Sequence, residues 1–283
     1  MKIIECPRDA MQGLDQFIPT DDKAAYLHAL LQVGFDTIDF GSFVSAKAIP
    51  QLRDTAEVLQ RLQRGHSKTK LLAIVANVRG AEEALAWREI DYLGFPLSIS
   101  ETFQLRNTNK SIEEAFQTVV QIQRLCEANG KMLVTYISMG FGNPYGDPYG
   151  PTLVLDFVER LSTLGVRVVS LADTIGVSVP DQIRRLFEVL TDRYPMIEFG
   201  AHLHSHPAKA REKIQAAVTA GCQRFDGALR GYGGCPMAED ELVGNVATEE
   251  IIDCLKAAGK PISLDLEALE YALAFAARIF PKK

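Results

Sequence analysis

Short apolar segments and amphipathic segments alternate eight times along the 283-residue chain, and this alternation limits its fold more than any other feature. The apolar segments have the length and the β-branched content of buried strands, as in Val166–Leu171. The segments between them carry apolar residues at helical spacing, as in Thr152–Leu164. Strands that are joined through helices run parallel, with right-handed crossovers. Eight such units in about 250 residues predict an α/β fold, a closed (β/α)8 TIM barrel.

The predicted barrel takes up most of the chain, over about residues 2–260, and an additional amphipathic C-terminal helix follows over about 264–280. The predicted strands are Lys2–Cys6, Thr37–Phe40, Leu71–Val75, Tyr92–Leu97, Met132–Ser138, Val166–Leu171, Phe199–His204 and Arg224–Leu229. No linker or change of composition divides the sequence, so we expect a single domain over residues 1–283. An open doubly wound sheet is the alternative. Against it, Cys6-Pro7-Arg8-Asp9 follows the first strand, where a dinucleotide-binding sheet has a glycine fingerprint.

The composition argues against several classes of protein. The formal net charge of −6, from 30 basic and 36 acidic residues, disfavours a nucleic-acid-binding protein. Five cysteines, odd in number and widely spaced, fit a reducing compartment better than a disulfide framework. No apolar run approaches the roughly 18 residues of a membrane span, and the first strand begins too early to leave room for a targeting peptide. We therefore expect a cytoplasmic protein with neither a membrane nor a nucleic acid as partner.

A pair of histidines ends the seventh predicted strand. Alternate side chains of a strand share a face, so His202 and His204 point the same way, about 6–7 Å apart along the chain. Two imidazoles placed in this way can chelate a metal ion if oxygen ligands arrive from elsewhere. The alternative is a pair of core histidines that hydrogen bonds satisfy.

A closed barrel brings oxygen ligands to this pair. Active sites of such barrels lie at the carboxyl ends of the strands, and the eighth strand closes against the first. Asp9 follows the first strand and Asn245 lies in the segment after the eighth. Separately, Asp9 could cap a turn and Asn245 could satisfy loop backbone, but their convergence predicts a metal site of Asp9, His202, His204 and Asn245. Such ligands suit Mn²⁺, Fe²⁺, Zn²⁺ or, more weakly, Mg²⁺.

Six motifs occur along the chain in the order Pro7–Gln12, Ser42–Lys47, Ser170–Gly176, His202–His204, Gly231–Pro236 and Gly244–Glu249. Together they resemble the hydroxymethylglutaryl-CoA lyase family, part of a superfamily of metal-dependent lyases named for its Asp-Arg-Glu constellation on this barrel. The resemblance runs from residue 2 to about residue 255. It implies that an acyl-CoA, 3-hydroxy-3-methylglutaryl-CoA, is cleaved into acetoacetate and acetyl-CoA with Mg²⁺ or Mn²⁺ as cofactor. It also implies a place in leucine catabolism and ketone-body formation.

The resemblance further implies catalytic roles for individual residues. Arg8 is a fixed cation where the leaving thioester enolate develops negative charge. Cys235, on a glycine-hinged loop, is the proton donor that the family suggests for that enolate. His202 takes part in proton transfer as well as in metal binding. Asp39 stands where the family has a glutamate, and we expect its shorter side chain to orient Arg8 or the substrate.

Seven further residues are expected to bind the substrate, from their motifs or from their place on the rim: Gln12, Ser42, Lys47, Asn107, Asp173, Thr174 and Glu249. Asp173 and Thr174 could instead cap the end of the sixth strand. Lys47, like most surface cations, could simply be solvated.

The chain departs from the family pattern at several positions. Met139 and Phe141 are bulkier than the residues that they replace and could reshape the acyl pocket. His206 lies in a segment, Ser205–Ala208, where the family has Asp-Thr-Tyr-Gly, and is either exposed at a helix N-terminus or part of the site. A second hypothesis therefore keeps the retro-aldol or retro-Claisen chemistry but assigns another 3-hydroxyacyl-CoA or a hydroxy diacid as substrate. A third, a non-catalytic barrel that binds a metal or an acyl-CoA, is disfavoured by the intact motifs. The last helix packs under the barrel or forms the face of a homodimer.

Overall fold

The computed structural model describes residues 1–234 and 243–280. Eight parallel strands close into a barrel in chain order. They are β1 (Lys2–Glu5), β2 (Thr37–Ser42), β3 (Lys70–Ile74), β4 (Tyr92–Ser98), β5 (Met132–Ser138), β6 (Val168–Asp173), β7 (Glu198–Leu203) and β8 (Arg224–Gly227). β1 pairs in parallel with β8, from Lys2 opposite Arg224 to Glu5 opposite Gly227. This pairing confirms the TIM barrel and excludes the open sheet.

Helices surround the barrel. Those of the described residues are α1 (Pro7–Gln12), α2 (Thr20–Val33), α3 (Thr55–Arg61), α4 (Val78–Leu85), α5 (Glu101–Thr108), α6 (Ile112–Ala128), α7 (Pro151–Thr163), α8 (Pro180–Arg193), α9 (Pro207–Thr219), α10 (Thr248–Ala257) and α11 (Leu266–Ile279). The C-terminal helix α11 is present as predicted and packs against α2, where the rings of Tyr26 and Phe275 stack with centroids 5.8 Å apart. Within residues 1–234 and 243–280, none of the helices has the length and apolar character that crossing a membrane requires.

Two short helices, α1 and α5, were not predicted, because neither carries an apolar stripe at helical spacing. α1 begins directly after β1 at Pro7, whose fixed φ suits the first position of a helix. The hydroxyl of Ser100 caps α5 by accepting a hydrogen bond from the N–H of Phe103. Both helices follow the carboxyl ends of strands, so they shape the end of the barrel where a site is expected.

The interior of the barrel is partly apolar and partly ionic. One cluster inside the barrel consists of Leu72, Ile74, Tyr92, Val134, Tyr136 and Val168. The inward positions of β8 are instead charged, since Arg224 and Asp226 are 0% and 2% exposed. Gly200 on β7 leaves the room for Arg224, because a Cβ atom there would lie 3.0 Å from the Cδ atom of that arginine.

Glu5, the last residue of β1, is a buried carboxyl group that ties three segments together. Its side chain accepts hydrogen bonds from the backbone N–H of Leu229 at 2.9 Å and from the hydroxyl of Thr248 at 2.6 Å. Leu229 begins a 3₁₀ turn after β8, and Thr248 begins α10. Burial raises the pKa of Glu5 to about 8, and the two hydrogen bonds offset only part of this rise.

We expect the Glu5→Gln variant to gain stability relative to the wild type as the pH rises. Between the unfolded pKa of 4.5 and the folded pKa of about 8, the folded wild type holds a proton that the unfolded chain has lost. Its free energy of unfolding therefore falls with increasing pH in this window, whereas the amide does not titrate. Urea denaturation at pH 5, 6.5 and 8 should show that the difference in the free energy of unfolding between variant and wild type changes by about 1–3 kcal/mol in favour of the variant over this range. A constant difference would argue that Glu5 is ionised in the folded protein.

Candidate active site

Three potential metal ligands meet at the carboxyl ends of the strands. Asp9 lies on α1 just after β1, His202 is the penultimate residue of β7, and His204 directly follows that strand. One ligand atom from each residue lies within 4.8 Å of the others, and all three residues are buried. His204 also pairs with Asn245 through an isolated antiparallel bridge. The structure thus brings together all four residues that the sequence proposes as metal ligands.

Both histidine rings are held through their Nδ1 atoms. Nδ1 of His202 donates to the Asp226 carboxylate at 3.2 Å, and Nδ1 of His204 donates to the carbonyl of Thr174 at 3.0 Å. Nε2 is therefore the atom that each ring can offer to a metal ion. Nε2 of His204 lies 3.9 Å from Oδ2 of Asp9. Among the described residues this buried nitrogen finds no hydrogen-bond partner, which fits a cation site.

The protonation states of Asp9 and His204 suit metal binding at neutral pH. Burial would raise the pKa of Asp9, but Arg8 and the two histidines outweigh it and lower the pKa to about 2. Burial, helped by the neighbouring His202, lowers the pKa of His204 to about 4, so that ring is neutral. Burial also acts to lower the pKa of His202, but the hydrogen bond and the charge of Asp226 outweigh it and raise the pKa. A carboxylate and a neutral imidazole are the forms that coordinate a divalent ion.

Asn245 adds an amide group to this cluster. Its Nδ2 atom donates hydrogen bonds to Oδ2 of Asp9 at 2.6 Å and to the carbonyl of Tyr232 at 3.0 Å. Both amide hydrogens are thereby used, so Oδ1 is the atom that the side chain has to offer a metal ion. Two imidazoles, a carboxylate and an amide oxygen form a donor set that fits a divalent cation and leaves positions for substrate oxygens.

A second group of potential ligands, Cys6, His202 and Asp226, shares one histidine with the first. Burial, reinforced by nearby carboxylates, raises the pKa of the Cys6 thiol well above its usual range, which disfavours the thiolate that a metal requires. The hydrogen bond to Asp226 already occupies Nδ1 of His202. The cluster at Asp9 is therefore the better candidate for the metal site.

Arg8 lies between two carboxylates. Its Nε and Nη2 atoms donate to both oxygens of Asp39, at 2.5 to 3.2 Å, and Nη1 donates to Asp9 and to Gln12, at 2.9 Å each. Four of its five N–H groups are thus used within the described residues, which leaves one Nη2 hydrogen for another acceptor. Asp39 is fully buried. The aspartate is therefore long enough to hold the guanidinium from β2.

A cavity of about 360 Å³ opens beside this cluster. Its polar lining comes from Arg8, Asp9, Gln12, Arg106, Asn107, Thr108, Ser138, Thr174, His202 and His204. Its apolar lining includes Val44, Ala48, Ile49, Ile74, Ala76, Pro96 and Phe103. Tyr136 also lines the cavity, edge-on to the His202 ring, and its buried hydroxyl lacks a hydrogen-bond partner in the described part of the chain. The cavity can therefore hold a molecule with an oxygen-rich end at the metal ligands and an apolar portion along the wall.

The comparisons with known proteins agree with this geometry. Residues 2–275 match a family model described as HMGL-like. The chain belongs to the HMGL-like family. It is 34% identical over 263 residues to a hydroxymethylglutaryl-CoA lyase of Bacillus subtilis, covering 93% of this chain and 87% of that protein.

Solved structures of HMGL-like proteins resemble the whole barrel. The HMG-CoA lyase of Brucella melitensis superposes with a TM-score of 0.90 at 31% identity, covering 98% of this chain and 97% of that one. An HMG-CoA lyase of Acinetobacter baumannii, solved in complex with coenzyme A and 3-methylmalate, also gives a TM-score of 0.90, at 30% identity. That alignment covers 99% of this chain and 90% of the other.

The predicted substrate-binding residues of this HMGL-like chain divide into two groups. Gln12, Asn107 and Thr174 line the cavity. Ser42, Lys47, Asp173 and Glu249 do not. The Ser42 hydroxyl donates to the carbonyl of Ile74, Lys47 is exposed, and the Glu249 carboxylate accepts the backbone N–H of Arg230.

Asp173 is used to build the site. Its carboxylate accepts hydrogen bonds from the Lys213 ammonium group at 2.8 Å and from the backbone N–H and hydroxyl of Ser178. Lys213, itself 1% exposed, also donates to the carbonyls of Gly176 and His204. These bonds hold the ends of β6 and β7 together and so position His204. This position agrees with the alternative that Asp173 caps the end of the sixth strand.

The two bulky residues after β5 and the second histidine after β7 do not line the cavity, and the predicted proton donor lies outside the described residues. Met139 and Phe141 are buried in the main core and do not line the cavity, so they contribute no surface to an acyl pocket. His206 is exposed at the N-terminus of α9, where its Nδ1 accepts the backbone N–H of Ala208. Cys235, the predicted proton donor, lies outside the described residues.

Sequence reasoning missed Tyr136, Lys213 and Asp226. A signal for Asp226 was available, because Arg224 and Asp226 occupy alternate positions of a short strand and must therefore share a face. Charged residues on the inner face of a barrel are costly unless they are paired. Tyr136 and Lys213 follow ordinary strand and helix patterns, so nothing in the sequence distinguishes them.

Proposed function

We propose that this protein is a divalent-metal-dependent lyase that cleaves 3-hydroxy-3-methylglutaryl-CoA into acetoacetate and acetyl-CoA. The observation that carries the proposal is the cluster of Asp9, His202 and His204, beside Arg8 and an adjoining cavity, in which Nε2 of His204 finds no hydrogen-bond partner among the described residues. The relatives named HMG-CoA lyase support the substrate, and the neighbour solved with coenzyme A supports an acyl-CoA. The pathway, the compartment and the oligomeric state stay predictions from the sequence.

Asp9, His202, His204 and Asn245 would hold the metal ion, with Mg²⁺ or Mn²⁺ as our assignment from the family resemblance. A divalent ion there would supply Lewis acidity, which lowers the pKa of a hydroxyl group that it contacts. The protein's own part is to bring the substrate's C3 hydroxyl and an oxygen of its carboxylate to this end of the cavity. Removal of the hydroxyl proton starts the cleavage, and the family resemblance assigns this proton to His202, whose Nε2 would take it up when it is not bound to the ion.

Bond cleavage moves an electron pair from the C2–C3 bond to the thioester, which leaves as an enolate. The Nη2 hydrogen of Arg8 that the described residues leave unused can donate to the enolate oxygen as it gains charge. Asp39 and Asp9 hold the guanidinium in place beforehand, so that no reorganisation is needed during the reaction. Protonation of the enolate at C2 then gives acetyl-CoA, and we assign that proton to Cys235 on the family resemblance.

A second candidate keeps this chemistry and changes the substrate to another 3-hydroxyacyl-CoA or a hydroxy diacid. The specific observation in its favour is the apolar wall of the cavity, which includes Ile49, Ile74 and Phe103 and can take a larger branch at C3. Met139 and Phe141 no longer argue for it, since both lie in the core.

A substrate panel separates the two candidates. We expect kcat/KM for hydroxymethylglutaryl-CoA to exceed that for analogues with a longer C3 branch by at least about tenfold, about 1.4 kcal/mol in transition-state binding. Free hydroxy diacids such as malate and citramalate lack the thioester and test the other substrate class of the second candidate, and faster cleavage of either one than of hydroxymethylglutaryl-CoA would also favour that candidate. A branched analogue cleaved ten times faster than hydroxymethylglutaryl-CoA would favour the second candidate.

A further inference from the structure

A row of charged groups runs through the interior of the barrel to the metal site. Glu198, at the start of β7, contacts Arg224 with its Oε1 atom 3.5 Å from Nη1, and Nε of Arg224 lies 3.8 Å from Oδ1 of Asp226. Oδ2 of Asp226 accepts the hydrogen bond from Nδ1 of His202 at 3.2 Å. We call Glu198, Arg224, Asp226 and His202 the interior charge row. It links the far end of the barrel to one of the predicted metal ligands.

Arg224 is the positively charged residue between the two carboxylates of the interior charge row. The side chain is fully buried, and within residues 1–234 and 243–280 its three guanidinium nitrogens make no hydrogen bonds, although Nη1 and Nε make the ion contacts to Glu198 and Asp226. A buried carboxylate requires a compensating positive charge, and Arg224 supplies one to Asp226. Asp226 is thereby able to act as a hydrogen-bond acceptor inside the barrel.

We infer that Asp226 is a positioning residue for the metal site: it fixes His202 with a proton on Nδ1 and with Nε2 directed to the metal. The inference rests on the proposed function, because it concerns a histidine of the proposed metal site. A carboxylate that accepts from the non-ligating nitrogen sets the tautomer and the ring orientation of a metal-binding histidine. His204 differs, since its Nδ1 donates to the neutral carbonyl of Thr174. Asp226 therefore gives the site an orienting negative charge at one histidine.

Other neighbours of the His202 ring do not serve this purpose. Tyr136 meets the ring edge-on, with centroids 5.6 Å apart, and its hydroxyl makes no hydrogen bond to His202. Ser170 donates a hydrogen bond to the same oxygen of Asp226 at 3.3 Å, so it supports the carboxylate and does not replace it. Cys6 stays protonated, because burial raises its pKa.

The first test uses the wild-type protein without metal. A long-range ¹H–¹⁵N correlation spectrum of ¹⁵N-histidine-labelled protein at pH 9 shows which nitrogen of each neutral ring carries the proton. There are five histidines, and a His202→Gln sample assigns the signals of His202. We expect the proton of His202 on Nδ1. A proton on Nε2 would overturn the inference, whether or not any variant folds.

The second test is the Asp226→Asn variant. An asparagine can accept from Nδ1 or donate to it, so it no longer selects one tautomer, and we expect a mixture in the spectrum. The dissociation constant of Mn²⁺, measured from the electron paramagnetic resonance signal of the free ion, should rise about 10–100-fold. Glu198→Gln is the matched control: it removes a carboxylate at the far end of the interior charge row and should change Mn²⁺ affinity less than about threefold.

An Asp226→Asn protein with the wild-type tautomer and Mn²⁺ affinity within threefold of the wild type would overturn the inference. A different result would contradict the metal part of the proposed function, namely a wild-type protein that binds no Mn²⁺ at all. In that case the spectrum of the metal-free protein still decides the role of Asp226.

Discussion

Replacing His204 by alanine is expected to lower kcat for hydroxymethylglutaryl-CoA cleavage by at least about 10³-fold at a fixed Mn²⁺ concentration. The variant loses the ring nitrogen that is buried without a hydrogen-bond partner in the described residues, 3.9 Å from Asp9. Without this ligand the site keeps one imidazole and the oxygen donors, which bind a divalent ion more weakly. Initial rates over a range of Mn²⁺ concentrations, together with calorimetric Mn²⁺ binding, measure both effects.

His206→Ala is the matched control for this experiment. His206 is also a histidine after β7, but it is exposed at the N-terminus of α9 and does not line the cavity. Its replacement should change kcat less than about threefold and cost about 1 kcal/mol of stability through the lost helix cap. Turnover like that of the wild type in the His204 variant would contradict the metal assignment.

Replacing Arg8 by methionine is expected to lower kcat about 10²–10³-fold, as the loss of a fixed donor to a developing oxyanion does. The change also leaves the buried Asp39 without its cation, so the free energy of unfolding should fall by about 3–5 kcal/mol. Because the interaction is made with the enolate, kcat and kcat/KM should fall together. Steady-state kinetics below the unfolding temperature and urea denaturation test the two effects separately.

Arg8→Lys tests whether geometry or charge matters at this position. A lysine keeps the positive charge but cannot donate to both oxygens of Asp39 and to Asp9 at the same time. We expect most of the rate loss to remain. Arg79→Met, which breaks an exposed pair with Glu83 on α4, is the control and should leave kcat unchanged. A fully active lysine variant would limit the role of Arg8 to its charge.

The barrel and the central cluster of the site were accessible from the sequence for one physical reason. Strand and helix periodicity are local, and eight alternating units leave the closed barrel as the fold that buries them all. Closure then places β8 beside β1, which brings Asn245 and Asp9 to His202 and His204 without knowledge of any side-chain contact. The role of Arg8 in that cluster came from the family resemblance.

The two short helices and the positions of several side chains depend on contacts between distant segments, which leave no local pattern in the sequence. α1 and α5 lack an apolar stripe, and the start signals Pro7 and Ser100 alone do not predict helices. Asp173 lies in a motif expected to bind substrate, yet Lys213, forty positions further along the chain, takes its carboxylate. Met139 and Phe141 are bulkier than the residues of the family pattern, which suggested that they could reshape the acyl pocket, whereas the structure buries both in the core. Which side chains point into a cavity is decided by the packing of distant elements, and a sequence pattern does not record it.

The measurement that tests the central claim most directly is product release from hydroxymethylglutaryl-CoA by protein treated with EDTA and then reconstituted with Mn²⁺. We expect acetoacetate and acetyl-CoA in equal amounts from the Mn²⁺-loaded protein, and a rate at least about 10²-fold lower in the presence of EDTA. A folded protein that binds Mn²⁺ and releases neither product would contradict the assigned reaction. Equal rates with Mn²⁺ and with EDTA would contradict the role of the metal at Asp9, His202 and His204.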